Sequence, residues 1–306
     1  MNRRRFLTIS AGLALSSALL PGMARATRIA QWHGTALGAG ATIALDYPRG
    51  AELAARAWAE IDRLESIFSL YRADSALSRL NRDGRLDAPP FELLDCLTLC
   101  GRVHEASGGR FDPTIQPLWA AYAQAWAAGH APDAAMLRAA RDVTGWQGVT
   151  VDGDAVRLRP GAALTLNGVA QGLIADRVAA LLRAEGLSDV LVDTGEIAAR
   201  GHTPEGEEWP VSLSDGTRLR LSDRALATSA PRGTVFDPAG QVGHILDPAS
   251  GLPAPAVIEM VSLSAPNAAT ADALSTAACL MPDAGAVTHL IAQFPGVRAE
   301  AVRLVT

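Results

Sequence analysis

Residues 51–70 place Leu53, Ala57, Ile61, Leu64 and Phe68 on one stripe of a 3.6-residue period, which predicts an amphipathic helix. Residues 91–106 predict a second helix, stopped by Gly108-Gly109. Shorter helical patterns cover residues 134–141, 172–185 and 271–281. Between them run strand-like segments. Residues 35–47 alternate small and apolar side chains, and residues 149–158 read as a hairpin turning at Asp152-Gly153. Residues 164–166 read as a short strand entering a glycine turn, and residues 190–193 as a buried strand. Residues 209–221 predict a hairpin at Asp215-Gly216, and residues 257–264 a further strand. Strands and helices interleave without a regular βαβ rhythm, so the prediction is a mixed α/β (α+β) fold in one domain over residues 27–306.

The first 26 residues follow a different logic. Arg3-Arg4-Arg5-Phe6-Leu7 carries the Arg-Arg-x-Phe-Leu pattern of a twin-arginine export signal, and residues 7–20 are uncharged. That run is shorter than the roughly 20 residues a membrane-spanning helix needs. Ala24-Arg25-Ala26 fits the small-x-small cleavage rule. The expectation is a periplasmic protein trimmed after Ala26 and holding no stable membrane anchor.

Composition narrows the chemistry. Apolar residues make up 49% of the 306-residue chain, enough for a full core, and charged residues 19%. The formal charge of −5 argues against a nucleic-acid partner. All 27 basic residues are Arg, which excludes Lys Schiff-base chemistry, pyridoxal phosphate enzymes and a working Walker A loop. Three cysteines without zinc-site spacing read as small buried hydrophobes.

Four polar clusters interrupt the apolar pattern. Ser69-Leu70-Tyr71-Arg72-Ala73-Asp74-Ser75, ending in Asn81 just past a helix, offers a loop Tyr able to stack on a flat ring, or a plain surface turn. Gly108-Gly109-Arg110-Phe111-Asp112-Pro113-Thr114 allows close backbone approach to a ligand, or simply stops a helix. Leu166-Asn167-Gly168-Val169-Ala170-Gln171-Gly172 sits at a strand-to-helix junction, where free N–H groups favour phosphate. His244-Ile245-Leu246-Asp247-Pro248 pairs an acid–base residue with a stiff Asp-Pro. Further on, Asp272 and Thr276 are four apart on one helical face. One carboxylate plus one hydroxyl is either a sparse Mg²⁺ site, completed by water and phosphate oxygens, or a first-turn helix charge beside a core-facing hydroxyl.

In this order the clusters, with Gly34-Thr35 before them and Ala227-Thr228-Ser229 between them, resemble the ApbE family of FAD:protein FMN transferases. The resemblance implies an enzyme that uses FAD as substrate and Mg²⁺ as cofactor. It implies FMN passing through a phosphoester bond to a Thr hydroxyl of an acceptor protein, a redox subunit facing the periplasm, with AMP leaving. Two other readings use the same pocket: an FAD pyrophosphatase or flavin-trafficking protein, and an FAD-binding module with reduced catalysis.

The resemblance also assigns residues. His33, where relatives usually carry Met, and Tyr71 border the flavin ring; Arg110, Phe111 and Asp112 line the FAD pocket. Thr165, Gln171 and Leu246 match further FAD positions. Gly168 offers a carbonyl to the metal, Asp272 and Thr276 their side chains, and Ser275 matches a position that is a third, acidic ligand in some relatives. His244 matches the catalytic histidine. Departures are Thr165 where Asp is common, Gln171 where Lys is common, and Asp193-Thr194-Gly195-Glu196 where a double Gly is common; Thr165 and Gln171 read either as a compensated pair or as tuned FAD affinity or lower activity.

Overall fold

The computed structural model describes residues 29–213 and 215–305; the expected export signal lies outside them. In chain order the strands are β1 (Ala30–Ala36), β2 (Ala39–Leu45), β3 (Arg85–Asp87), β4 (Val149–Val151), β5 (Ala155–Leu158), β6 (Val190–Asp193), β7 (Ile197–Arg200), β8 (Trp209–Ser212), β9 (Arg218–Leu221), β10 (Arg224–Ser229), β11 (Ile258–Ala265) and β12 (Arg298–Leu304). The helices are α1 (Gly50–Phe68), α2 (Ala76–Asp83), α3 (Phe91–Ala106), α4 (Gln116–Ala127), α5 (Ala134–Val143), α6 (Ala170–Ala184), α7 (Ala268–Ala278) and α8 (Ala284–Ala292).

A seven-stranded sheet, ordered β1-β2-β6-β7-β10-β11-β12, forms the middle of the molecule, and every pairing in it is antiparallel. Strand alternation sends successive side chains to two different cores. Ile43 and Leu45 join the main core with the helices, while Ala44 joins a second core under the β8–β9 hairpin. Val190 and Val192 split from Leu191 in the same way, and Ala198 from Ile197 and Ala199. Both faces are covered, so β6 is buried at every position and reads as a continuous apolar run. The main core takes the predicted stripe of α1 together with Leu93, Leu97 and Val103 of α3 and Ile174 and Val178 of α6. Among the described residues no helix is long and apolar enough to cross a membrane.

Most predicted elements appear with shifted ends, and four expectations change. Residues 35–47 are not one strand: Leu37 and Gly38, with φ of +48° and +84°, turn the chain between β1 and β2. Residues 164–166 form no strand. The segment is bonded instead by a side chain, since Asn81 Nδ2 donates to the Leu164 carbonyl (2.8 Å) and Leu164 N–H donates to Asn81 Oδ1 (2.7 Å). Asn81 itself lies inside α2 rather than past a helix end. α7 begins three residues earlier than residue 271, with Asn267 as its cap accepting from Thr270 N–H. Asp272 is therefore a buried second-turn residue and not a first-turn surface charge. The sequence pattern did not anticipate α2, α4, α8, β3, β7, β10 or β12.

The Gly-rich junction proves to be a helix–helix clasp. A Cβ on Gly172 would stand 2.3 Å from the Ala268 carbonyl, so only Gly lets α6 meet the start of α7 this closely. Asp176, one turn on, accepts from Ala268 and Ala269 N–H (2.9 Å each) and satisfies two orphan donors of α7. The fold thereby holds the N-terminal turns of α6 and α7 together, while Ser275, further along α7, meets the end of β10.

Candidate active site

At that meeting point lies an open cleft of about 180 Å³. Arg110, Phe111, Asp112, Thr165, Gly168, Gln171, His244, Leu246, Asp272 and Thr276 all line it. So do Asn167, Glu196, Thr228, Ser229 and Trp119, none of which was assigned from sequence. Three predicted residues lie outside the lining. His33 sits exposed on β1, its Nδ1 within 3.0 Å of Thr42 Oγ1 on the paired strand. Tyr71 is 71% exposed, in a turn knit by Ser69 Oγ, which accepts from the N–H groups of Tyr71 and Arg72. Ser275 is fully buried behind the cleft.

Asp112 lines the cleft with a carboxylate engaged in its own turn: it accepts from Thr114 N–H (2.8 Å), Thr114 Oγ1 (2.6 Å) and Trp146 N–H (3.0 Å). His104, unassigned from sequence, has Nδ1 2.9 Å from the Phe111 carbonyl, to which it donates. The Phe-Asp-Pro-Thr turn is thus an internally locked wall. Asp112→Ala is expected to destabilise the protein by about 3 kcal/mol, because three donors lose a charged acceptor and two belong to a buried residue; urea unfolding measures it.

The departures in sequence also find partners. Gln171 Nε2 donates to the Thr194 carbonyl (3.0 Å), and Thr194 Oγ1 donates back to the Gln171 carbonyl (2.9 Å). Gln171 is thus tied to Thr194 in the 193–196 turn. The Thr165 hydroxyl instead accepts from Asn167 N–H (3.3 Å). This clasp aims the 193–196 turn into the cleft floor.

The floor is acidic. Burial pushes Asp272 up to about 7, with a partial offset from the Gly172 N–H that bonds its Oδ2 at 3.2 Å. Burial pushes Asp193 up to about 6. Glu196 is held well above the carboxylate range, by burial first and then by the neighbouring Asp272 and Asp193 charges. No cation contributes to any of the three shifts. Such carboxylates call for positive charge from outside the chain. Thr276 stands beside Asp272, and a Cβ on Gly168 would fall 2.9 Å from Thr276 Oγ1, so the Gly168 backbone passes directly over that hydroxyl. Among the described residues no three His, Cys, Asp or Glu side chains converge as a metal cluster. The available set, one carboxylate, one hydroxyl and one backbone carbonyl, fits a hard divalent cation that completes its shell with water and phosphate oxygens.

In the same lining, His244 Nδ1 lies 3.1 Å from the Thr234 carbonyl. A carbonyl only accepts, so Nδ1 carries the proton and Nε2 keeps the lone pair. Burial lowers the imidazole below its usual 6.5, against the Thr234 and Pro231 carbonyls, which favour the charged form. A neutral base therefore faces the same cleft as the acidic cradle.

Sequence similarity agrees with this picture. A Treponema pallidum protein named FAD:protein FMN transferase is 31% identical over 274 residues, covering 78% of this chain and 74% of its own length. A Salmonella typhimurium protein of the same name is 28% identical over 257 residues, covering 76% and 72%. The apo flavinyl transferase ApbE of Pseudomonas stutzeri superposes with a TM-score of 0.76 at 27% identity, over 89% of this chain and 90% of that one. The Thermotoga maritima apbe protein superposes with a TM-score of 0.80 at 23% identity, over 90% and 94%, and shares the fold. Residues 37–299 match the ApbE family, and with the motifs gathered around one cleft, this chain belongs to it.

Proposed function

We propose that this protein is a transferase that cleaves FAD and passes FMN to a Thr hydroxyl of an acceptor protein, with Mg²⁺ as cofactor and AMP as the leaving product. The observation that carries the reading is the pairing of a neutral His244 with the Asp272–Thr276–Gly168 cradle in one cleft. Family membership and the names of the relatives support it.

FAD carries its pyrophosphate as negative charge, which a floor of buried carboxylates repels. What a divalent cation supplies there is neutralisation of that charge and help to the departing AMP. Asp272, Thr276 and the Gly168 carbonyl are the residues that would hold it. The locked turn at residues 110–114 and the Gln171–Thr194 clasp keep the cleft rigid, so the reacting groups are oriented before they meet. His244 Nε2 takes the proton of the incoming Thr hydroxyl. The Thr oxygen bonds the FMN phosphorus, the bridging P–O bond breaks, and AMP carries away that electron pair. A positioned base of this kind is worth about 10²–10⁴-fold.

Incubation of the protein with FAD, Mg²⁺ and a Thr-bearing acceptor domain tests the reading. Covalent flavin fluorescence on the acceptor with stoichiometric AMP is the expected result. Free FMN plus AMP without labelling makes the protein a pyrophosphatase, and bound FAD without products makes it a binding module.

We also propose twin-arginine export to the periplasm, with a redox subunit facing that compartment as acceptor. Arg3 and Arg4 before the uncharged stretch support it. Arg3→Lys combined with Arg4→Lys is expected to leave untrimmed precursor in the cytoplasm, read by fractionation and N-terminal sequencing. Normal trimming of the double variant rejects the route.

A further inference from the structure

Three buried or half-buried hydroxyls, two of them in the cleft lining, form a chain in which one donor order satisfies every acceptor. Ser275 Oγ lies 3.0 Å from the Asp272 main-chain carbonyl, which only accepts, so the single Ser275 proton is committed there. Ser275 and Ser229 hydroxyls are 2.7 Å apart, so Ser229 is the donor of that bond. Ser229 then has no proton left for Thr276, whose Oγ1 is 3.4 Å away, and Thr276 is the donor between them. The Thr276 proton is thereby drawn back toward β10. Its lone pairs remain on the side where Gly168 passes and where Asp272 lies one turn earlier on α7. Ser275 has 0% exposure and does not line the cleft, so the position expected to ligate metal acts at one remove.

We infer that Ser229 is a positioning residue that, through Ser275, orients the Thr276 hydroxyl as a lone-pair donor toward a divalent cation. Metal affinity is then set partly by a residue on a different strand, 47 positions from the ligand it orients. Without Ser229, Thr276 is free to turn its proton into the cleft, where it repels a cation and bonds phosphate or water instead. The inference rests on the cradle proposed above, and it adds a residue that touches neither metal nor reacting atoms in that scheme.

The test is Mn²⁺ titration of the purified protein in the presence of ADP, followed by calorimetry and by water-proton relaxation. Ser229→Ala and Ser275→Ala are each expected to weaken Mn²⁺ binding about tenfold, the lower end for residues that orient a metal ligand. Ser229→Thr, which keeps the hydroxyl, is expected to return most of the loss. Ser262→Ala supplies the structural control. It removes a fully buried hydroxyl that is itself outside the cleft lining and bonds the cleft-lining Thr228 (2.8 Å) on β10, the strand of Ser229, and is expected to leave Mn²⁺ affinity unchanged. Wild-type affinity in Ser229→Ala, or an equal loss in Ser262→Ala, overturns the relay. Absence of Mn²⁺ binding by the wild-type protein instead removes the cradle itself, and with it the metal-dependent reading.

Discussion

His244→Ala is expected to lower FMN transfer about 10²-fold or more, while FAD–Mg²⁺ binding changes by less than about tenfold, roughly 1.4 kcal/mol. The asymmetry follows from the geometry. The Nδ1 proton is tied to the Thr234 carbonyl, so the ring offers the cleft a lone pair, which matters to a hydroxyl losing its proton more than to a bound dinucleotide. The pH profile carries the same signature. Burial lowers the His244 pKa below 6.5, so the basic form predominates at neutrality and, at saturating Mg²⁺, the wild-type rate falls as pH drops through that lowered value. In His244→Ala this acid limb disappears and activity climbs with pH, as the acceptor hydroxyl ionises unaided. Single-turnover kinetics at saturating FAD, from pH 5 to 9, separate the outcomes. Near-normal transfer by the variant removes His244 from the mechanism; a large loss of FAD affinity with normal turnover makes it a binding residue.

Asp272→Asn is expected to abolish Mg²⁺ stimulation, a loss of about 10²-fold or more in metal-dependent turnover, and to make the metal-free protein more stable above neutral pH. The two effects share one cause. The folded-state pKa of Asp272 is raised from 3.8 to about 7 by burial, so the folded chain prefers the protonated acid. That contribution to stability is full below 3.8 and is lost as pH rises through about 7. In chelator at pH 8 the wild type therefore bears a buried uncompensated charge that Asn lacks, and the variant melts several degrees higher. Added Mg²⁺ raises the wild-type melting temperature by binding the native state and leaves the variant unmoved. At limiting Mg²⁺ the wild-type activity falls below pH 7, because protons compete for the carboxylate. At saturating Mg²⁺ that limb moves to lower pH and leaves the His244 limb exposed. A variant that keeps its Mg²⁺ response returns Asp272 to a purely structural place in α7.

What sequence alone determined about this protein is local. The period of α1 and the boundaries of α3 and β6 were legible, because a helix stripe or a doubly buried strand is written in consecutive residues. Short motifs in order were enough to bring ten of the predicted residues to one cleft, since each motif builds its own turn. The rest belongs to contacts between residues far apart in the chain. Asn81 holds the segment at Leu164 from 83 residues away, and no strand forms there because a side-chain amide has replaced the neighbouring strand. Glu196 reaches the floor only when β6 and β7 pair antiparallel, and Gln171 meets Thr194 only when α6 lies against that turn. Ser229 and Ser275 are 46 residues apart, and their hydroxyls touch because β10 packs against α7. An alternating or helical pattern records which face of an element is buried, but not which other element lies against it. The partners of the buried polar groups, and hence the orientation of Thr276 and the shifted pKa values of Asp272 and Glu196, were decided by the tertiary packing, since a burial cost and a hydrogen-bond direction exist only once both neighbours are in place.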